Sequence, residues 1–92
     1  MKEKDKRSYR LELVTPEKKV LNEEAIFVVI KSGSGPVGIM PEHAPLLGTV
    51  ETGILTYRDL EKIDHKVNVG PGFFMVSSDG VSIVARSAEP VA

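Results

Sequence analysis

The chain contains no cysteine, which excludes disulfide bonds and thiolate metal sites. No apolar run approaches the roughly 20 residues that a bilayer-spanning helix needs, and the charged residues after Met1 lack the apolar core of a secretory signal. Neither acids nor bases are in large excess, because the net charge is −1. The sequence therefore indicates neither a nucleic-acid-binding surface nor a polybasic membrane anchor. Its 92 residues are enough for one small domain.

The chain does contain many short apolar runs separated by turn residues. Residues 9–15 alternate between apolar and polar, as in a half-buried strand, and residues 25–31 are rich in β-branched side chains, as in a central strand buried on both faces. The Asp79-Gly80 pair between two apolar runs is a strong hairpin signal. No segment convincingly predicts a helix. About nine short strands, with turn signals roughly every 8–12 residues, predict an all-β sandwich or barrel, most simply two packed antiparallel sheets.

The pattern also assigns the segments between the clearest strands. It predicts a return strand over 19–21, a turn over 22–24, a flexible loop over 32–36, a hairpin end over 59–64 and a short tail over 87–92. Residues 60 and 63 are apolar and would suit a single helical turn within that hairpin end. We divide the chain into a charged flexible tail over 1–8, a β-sandwich domain over 9–89 and a short tail over 90–92.

Few residues are suited to chemistry. His43 and His65 are the groups expected to titrate near neutrality, and a zinc site needs three or four ligands. Ser77 or Ser78 could in principle form a catalytic triad with His43 and Asp79, but no nucleophile elbow surrounds either serine. The glycines at 33 and 35 lack the Lys-Ser/Thr ending of a phosphate loop. We therefore predict no catalytic, metal-binding or cofactor-binding residue, and a domain that acts by contacting other molecules.

The central stretch over 37–48 is apolar but is interrupted by Pro41 and Pro45. Each proline removes a backbone donor and fixes φ, so the stretch predicts short strands joined by a rigid corner. Two interpretations of this corner remain open. Either it presents apolar side chains to a partner, or Leu46 and Leu47 belong to the core and His43 is a hydrogen-bonded corner residue.

The same stretch carries a family resemblance. Residues 35–47, G-P-V-G-I-M-P-E-H-A-P-L-L, resemble the signature G-x-L-G-I-x-P-x-H-A-P-L-L of the ε subunit of F-type ATP synthases, the counterpart of the mitochondrial δ subunit. The first strand with its following Thr-Pro-Glu, the V-G-P-G-F-F-M-V run over 69–76 and the closing run over 81–89 agree in order and spacing. The similarity covers residues 9–89.

The resemblance implies a fold and a function. The fold would be a small antiparallel β-sandwich of about ten short strands in two sheets. Family members usually continue into two C-terminal helices that can inhibit ATP hydrolysis and in some cases bind ATP. This sequence contains no such helical hairpin, so we expect neither self-inhibition nor a nucleotide site. The function would be that of a non-catalytic rotor subunit in the central stalk, which couples ion translocation to ATP synthesis.

The resemblance also implies partners and contact residues. The partners would be the γ subunit and the membrane c-ring, and the chain would associate with the membrane only through the complex. Its location would be the cytoplasmic face of the bacterial plasma membrane, with the chloroplast thylakoid as the less favoured alternative. The isolated domain could also self-associate. The alternative is a free-standing ε-like sandwich that serves another partner, and the third hypothesis is an enzyme.

The resemblance assigns two sets of contact residues. The residues that would face γ are Thr15, His43, Ala44, Pro45 and Leu46. The residues of the loop that would face the c-ring are Gly33, Ser34, Gly35 and Pro36. Pro36 replaces the acidic or polar residue that the family usually has there.

Overall fold

The computed structural model describes residues 7–91, which form nine strands and no helix. The all-β prediction is therefore confirmed for the described part of the chain, with nine strands against the ten or so that the resemblance implies. The strands are β1 (Tyr9–Val14), β2 (Lys19–Ser32), β3 (Gly35–Ile39), β4 (Leu46–Val50), β5 (Gly53–Asp59), β6 (Asp64–Val69), β7 (Gly72–Ser77), β8 (Gly80–Ala85) and β9 (Ala88–Pro90).

The strands form a β-sandwich whose hydrogen bonding is continuous. Their order is β4-β7-β8-β1-β2-β5-β6-β9, and β3 pairs with β2 beside this path. The predicted two sheets are thus joined through a shared strand. The pairings are antiparallel apart from β1 with β8, where Leu11 lies beside Val81 and Leu13 beside Ile83 in parallel register. A parallel pair cannot be closed by a tight hairpin, so this pairing joins strands from opposite ends of the chain.

Strand β2 is longer than the sequence pattern predicts. The prediction of a turn over 22–24 is wrong, because these residues pair with residues 10–12 of β1 and stay extended. The ladder satisfies the backbone polar groups of the segment, and the side chains of Arg10 and Glu24 form an ion pair of 3.4 Å. Three polar residues in a row therefore lie within a strand, at exposed or half-buried positions.

The core lies between the layers and is built from alternating positions. Strand β1 buries Tyr9, Leu11 and Leu13 and leaves the intervening side chains at least partly exposed, as its alternation predicts. Each such buried apolar side chain stabilises the fold by about 2 kcal/mol, more than an exposed ion pair does. The largest side chains that are almost completely buried are Phe74, Leu11, Leu13, Ile30, Ile39, Leu55, Ile83 and Val28.

Two segments predicted as irregular take part in the ladders. The prediction of a flexible loop over 32–36 is wrong, because Gly33 and Ser34 form a tight turn and the residues on either side belong to β2 and β3. Residues 88–90, which the sequence predicts as part of a short tail, form β9, which pairs with residues 67–69 of β6. The hairpin end over 59–64 is confirmed, but it contains no helical turn, and its apolar residues are exposed. The tail predicted over 1–8 falls largely on residues 1–6, which lie outside the described part of the chain.

The predicted hairpin at Asp79-Gly80 is confirmed, since it joins β7 to β8. Gly80 has φ of 137°, a conformation that side-chain-bearing residues rarely adopt. A Cβ atom at this position would lie 2.2 Å from the carbonyl oxygen of Arg10 on the parallel neighbour β1. Glycine is therefore required here both by backbone conformation and by the close approach of β1.

We predict that Gly80→Ala destabilises the domain by about 3 kcal/mol, because it combines backbone strain with a clash. Gly35→Ala is the matched control: Gly35 also has a positive φ, of 118°, but no atom lies within 4 Å of the added Cβ. It should cost only about 1 kcal/mol. Urea unfolding measures both values, and equal costs would contradict the role assigned to the contact with Arg10.

Candidate subunit interface

The corner between β3 and β4 is rigid and faces outward. The amide of His43 donates to the carbonyl of Met40 at 3.2 Å, and Glu42 has φ of 66°. The Nδ1 atom of His43 lies 2.7 Å from the carbonyl oxygen of Ala44. His43 is therefore a hydrogen-bonded corner residue, as the second interpretation predicts. Its other part is wrong, because Leu46 and Leu47 are exposed and not part of the core. Ala44 and Pro45 are exposed as well.

A cavity of about 360 Å³ opens beside this corner, at the amino end of β1. The hydroxyl of Tyr9 donates to the carbonyl of Ile39 at 2.8 Å, and burial raises the pKa of Tyr9 above its ordinary value. This bond ties the end of β3 to the beginning of β1 and shapes the cavity wall. The lining combines apolar residues, among them Tyr9, Ile39, Met40, Val76 and Val81, with the polar residues Ser8, Glu42, His43, Ser77 and Ser78.

The residues carried over toward γ do not form one cluster. His43, Ala44 and Pro45 line the cavity near Tyr9, and Leu46 follows them directly as the first residue of β4. Thr15 follows the other end of β1, about 20 Å away at the usual rise of a strand. There its hydroxyl accepts from the amide of Lys18 at 3.4 Å within a turn. The structure thus brings four of the five residues together and leaves Thr15 apart.

The turn assigned to the ring-facing loop lies at the end of the sandwich opposite the corner. The amide of Gly33 donates to Thr49 Oγ1 at 3.3 Å, and the amide of Glu51 donates to the carbonyl of Lys31 at 2.7 Å. These bonds fix the hairpin against the carboxyl end of β4. Ser34 and Pro36 are exposed at and beside the turn.

An apolar strip on the outer face of β4, β7 and β8 is missing from the residues selected by sequence. Leu47 is 69% exposed and pairs across the strands with Met75, which is 50% exposed, and Phe73 pairs likewise with Val84. The apolar strip consists of these four residues. Exposed apolar patches of this kind mark contact surfaces. The sequence contains a signal for this strip in the run Phe-Phe-Met-Val over 73–76. A half-buried strand has polar residues at alternate positions, and this run has apolar residues at all four, so one of its faces must expose apolar side chains.

The two histidines have different surroundings. His43 lines the cavity together with Ser77 and Ser78, but its Nδ1 is engaged by Ala44, and Ser77 Oγ accepts from the amide of Asp79 at 3.2 Å. These contacts are those of turns and do not assemble a triad. His65 lies on β6, where its ring stacks on Tyr57 with centroids 4.9 Å apart. Within residues 7–91 no three His, Asp or Glu side chains are grouped as metal ligands would be.

The hairpin of β5 and β6 is held together by Asp59. Its Oδ1 accepts from the amides of Glu61 at 2.8 Å and Ile63 at 3.0 Å, and its Oδ2 lies 2.7 Å from His65 Nε2. The hydrogen bond from His65, followed by that from Ile63, lowers the pKa of Asp59 below its ordinary value. The carboxylate form of Asp59 therefore stabilises the turn.

The chain belongs to the family described as "ATP synthase, Delta/Epsilon chain, beta-sandwich domain", whose family model matches residues 8–91. An ATP synthase epsilon chain of Desulfitobacterium hafniense (strain Y51) is 43% identical over 83 residues, which are 90% of this chain and 62% of that protein. One from Moorella thermoacetica is 40% identical over 82 residues, 89% of this chain and 61% of that protein. The chain thus spans about three fifths of the length of these bacterial relatives.

Solved structures support the fold. A chain in the cryo-EM structure of the Euglena gracilis mitochondrial ATP synthase, OSCP/F1/c-ring, superposes with a TM-score of 0.86 at 22% identity, over 91% of this chain and 54% of that chain. A chain in the Tetrahymena thermophila mitochondrial ATP synthase central stalk/c-ring structure gives 0.74 at 19% identity, over 92% of this chain and 68% of that chain. At such low identity the likeness establishes the sandwich fold only.

The family assignment confirms the resemblance identified in the sequence. The relatives that it matches are ATP synthase epsilon chains, which agrees with the predicted relation to F-type ATP synthases. The described part of the chain contains no helix long and apolar enough to cross a membrane.

We predict that Asp59→Asn lowers stability near neutral pH and that this deficit shrinks in acid. A carboxyl group whose folded-state pKa is depressed stabilises the fold fully above its ordinary pKa of 3.8, and the stabilisation is lost as the pH falls through the depressed value. Urea unfolding of both proteins at a series of pH values measures the deficit. Glu61→Gln removes a charge from an exposed side chain of the same turn and is the control. A deficit that stays constant from about pH 7 to about pH 2 would contradict the proposed role.

Proposed function

We propose that the chain is the β-sandwich part of a bacterial ATP synthase ε subunit and acts as a non-catalytic component of the central stalk. It links the γ subunit to the c-ring and helps couple ion translocation to ATP synthesis. Its association with the membrane occurs through the complex, at the cytoplasmic face of the bacterial plasma membrane. The observation that carries this proposal is the family match over residues 8–91, supported by relatives that are ATP synthase epsilon chains.

The corner and the apolar strip together form the proposed γ-binding surface. The corner contributes His43, Ala44 and Pro45. The next strand, β4, contributes Leu47 to the strip on the outer face, whereas Leu46 points to the opposite face, where it pairs with the buried Val76. The exposed apolar side chains of this surface would be covered in the complex. Stable protein interfaces bury roughly 800 Å² per partner around an apolar centre.

The hairpin of Gly33, Ser34, Gly35 and Pro36 forms the proposed ring-facing surface. It lies at the end of the sandwich opposite the corner, and β3 connects the two directly. A subunit that transmits torque between two partners needs two separate contact surfaces on one rigid body. The hydrogen bonds from Gly33 and Glu51 support this reading, because they hold the hairpin against β4. Thr15 lies at the carboxyl end of β1, so a γ contact that includes it would extend along the length of that strand.

The experiment that tests the proposal is size-exclusion chromatography of this chain with the γ subunit of the same organism. We expect co-elution as a one-to-one complex. The isolated chain is run in parallel, because the uncovered strip favours self-association. Two separate peaks would contradict direct γ binding and would favour an ε-like sandwich that serves another partner.

We predict that the double substitution Leu47→Asp and Met75→Asp weakens γ binding at least tenfold, which corresponds to about 1.4 kcal/mol. The two side chains lie opposite each other and are exposed, so charges should remove the apolar contact without unfolding the domain. Isothermal titration calorimetry measures the affinity.

The control for this prediction is Leu60→Asp. Leu60 is 55% exposed and lies on the turn between β5 and β6, away from the apolar strip. It should bind γ with the affinity of the wild type. Equal affinities for the double variant and the control would show that the strip does not contact γ.

A further inference from the structure

The chain carries its sulfur in methionine alone. It contains three methionines and no cysteine. Met1 lies outside the described residues, whereas Met40 is 63% exposed and Met75 is 50% exposed. Peroxides oxidise an accessible thioether to the sulfoxide, which converts a flexible apolar side chain into a polar one. Met40 and Met75 are therefore candidate sites of oxidative modification.

Met75 lies in a part of the sheet that cannot rearrange locally. Strand β7 is paired on both sides, so Met75 lies between Leu47 of β4 and Ser82 of β8. Its neighbours in β7, Phe74 and Val76, point to the opposite face and are buried in the core. Because the two ladders fix the direction of the side chain, a sulfoxide at Met75 would stay on the outer face.

Met75 is also part of the apolar strip. Leu47 lies opposite it on β4, and Phe73 lies two residues earlier on the same face, across from Val84 of β8. Oxidation would place a polar sulfoxide oxygen next to these three apolar side chains. A partner that covers the strip would then have to strip water from this oxygen, and burying a polar group without a hydrogen bond is unfavourable. A small chemical change at Met75 would thus alter the whole strip as a contact surface.

Met40 has the same chemistry in a different setting. It lies at the corner, where its carbonyl accepts from the amide of His43 at 3.2 Å, and it lines the cavity beside Tyr9. Its side chain is more exposed than that of Met75, so its sulfur should react with peroxide at least as readily. Oxidation at Met40 leaves the four residues of the apolar strip unchanged, which makes Met40 the natural comparison.

We infer that Met75 is a modification site, and that its oxidation by hydrogen peroxide switches off the apolar strip as a contact surface. One oxygen atom of the peroxide bonds to the sulfur, the O–O bond breaks, and the other oxygen leaves as water. The sulfur loses the electron pair that the peroxide gains. Methionine sulfoxide reductases reverse the change. The inference rests on the proposed function, because the strip is part of the proposed γ-binding surface.

The test uses two variants that separate the sulfurs. Met40→Leu keeps Met75, and Met75→Leu keeps Met40, while both retain Met1. Each is treated with hydrogen peroxide, freed of peroxide with catalase and mapped by mass spectrometry before untreated γ is added. Isothermal titration calorimetry then compares each treated variant with its own untreated sample.

We expect oxidised Met40→Leu to lose affinity for γ roughly tenfold or more, and to regain it after treatment with the two methionine sulfoxide reductases that act on the two sulfoxide epimers. Oxidised Met75→Leu should show a clearly smaller loss. The urea unfolding midpoint of Met40→Leu should not change on oxidation, because Met75 is exposed on the sheet surface. A lowered midpoint would show that the loss comes from unfolding and would overturn the inference.

The outcomes separate this inference from the proposed function. If untreated protein binds γ and oxidised Met40→Leu binds it equally well, the role of Met75 is wrong and the stalk role stands. Equal losses in the two variants, or a Met75 that stays unoxidised while Met40 is fully converted, would also overturn the inference alone. If untreated wild-type protein does not bind γ, the proposed function fails and the inference fails with it.

Discussion

Strand β2 belongs to both layers of the sandwich, and the arrangement of the other strands depends on it. Its first half pairs with β1, and its second half pairs with β3 and β5. The register shifts between Ala25 and Phe27, where the strand passes from one set of neighbours to the other. An irregularity of this kind bends a strand and increases its twist, which lets one continuous strand serve two packed layers. The core then fills the space between the two halves of β2.

This sharing of one strand determines where the two proposed contact surfaces lie. Because β3 is folded back on the end of β2, its hairpin and its following corner lie at opposite ends of the domain. The hydroxyl of Tyr9 fixes the corner end, and the amide of Gly33 fixes the hairpin end. The two ends are therefore connected by paired strands and not by mobile linkers. A domain of this form can pass force from one partner to another without changing shape.

The outer face of β4, β7 and β8 presents apolar side chains to solvent. A monomeric domain would normally place polar side chains opposite its core, yet this face presents Leu47, Phe73, Met75 and Val84 to solvent. The neighbouring ion pairs, such as Lys19 with Glu12 at 2.8 Å, are exposed and contribute little to stability. Under the proposed function, a partner would cover this apolar strip.

Local sequence alone determined much of the fold. Period-two alternation specified β1 and β8, and the Asp79-Gly80 pair specified a hairpin, because pleat and turn geometry depend on adjacent residues. The motif over 35–47 was sufficient to identify the family.

Only the tertiary structure decided the rest. The polar residues 22–24 became part of a strand because β1 lies beside them, and residues 88–90 did so because β6 does. The separation of Thr15 from His43, the cavity beneath the corner and the apolar strip all arise from residues far apart in the chain. Their spacing follows from strand order and register, which depend on pairing between distant segments and leave no mark in the local pattern.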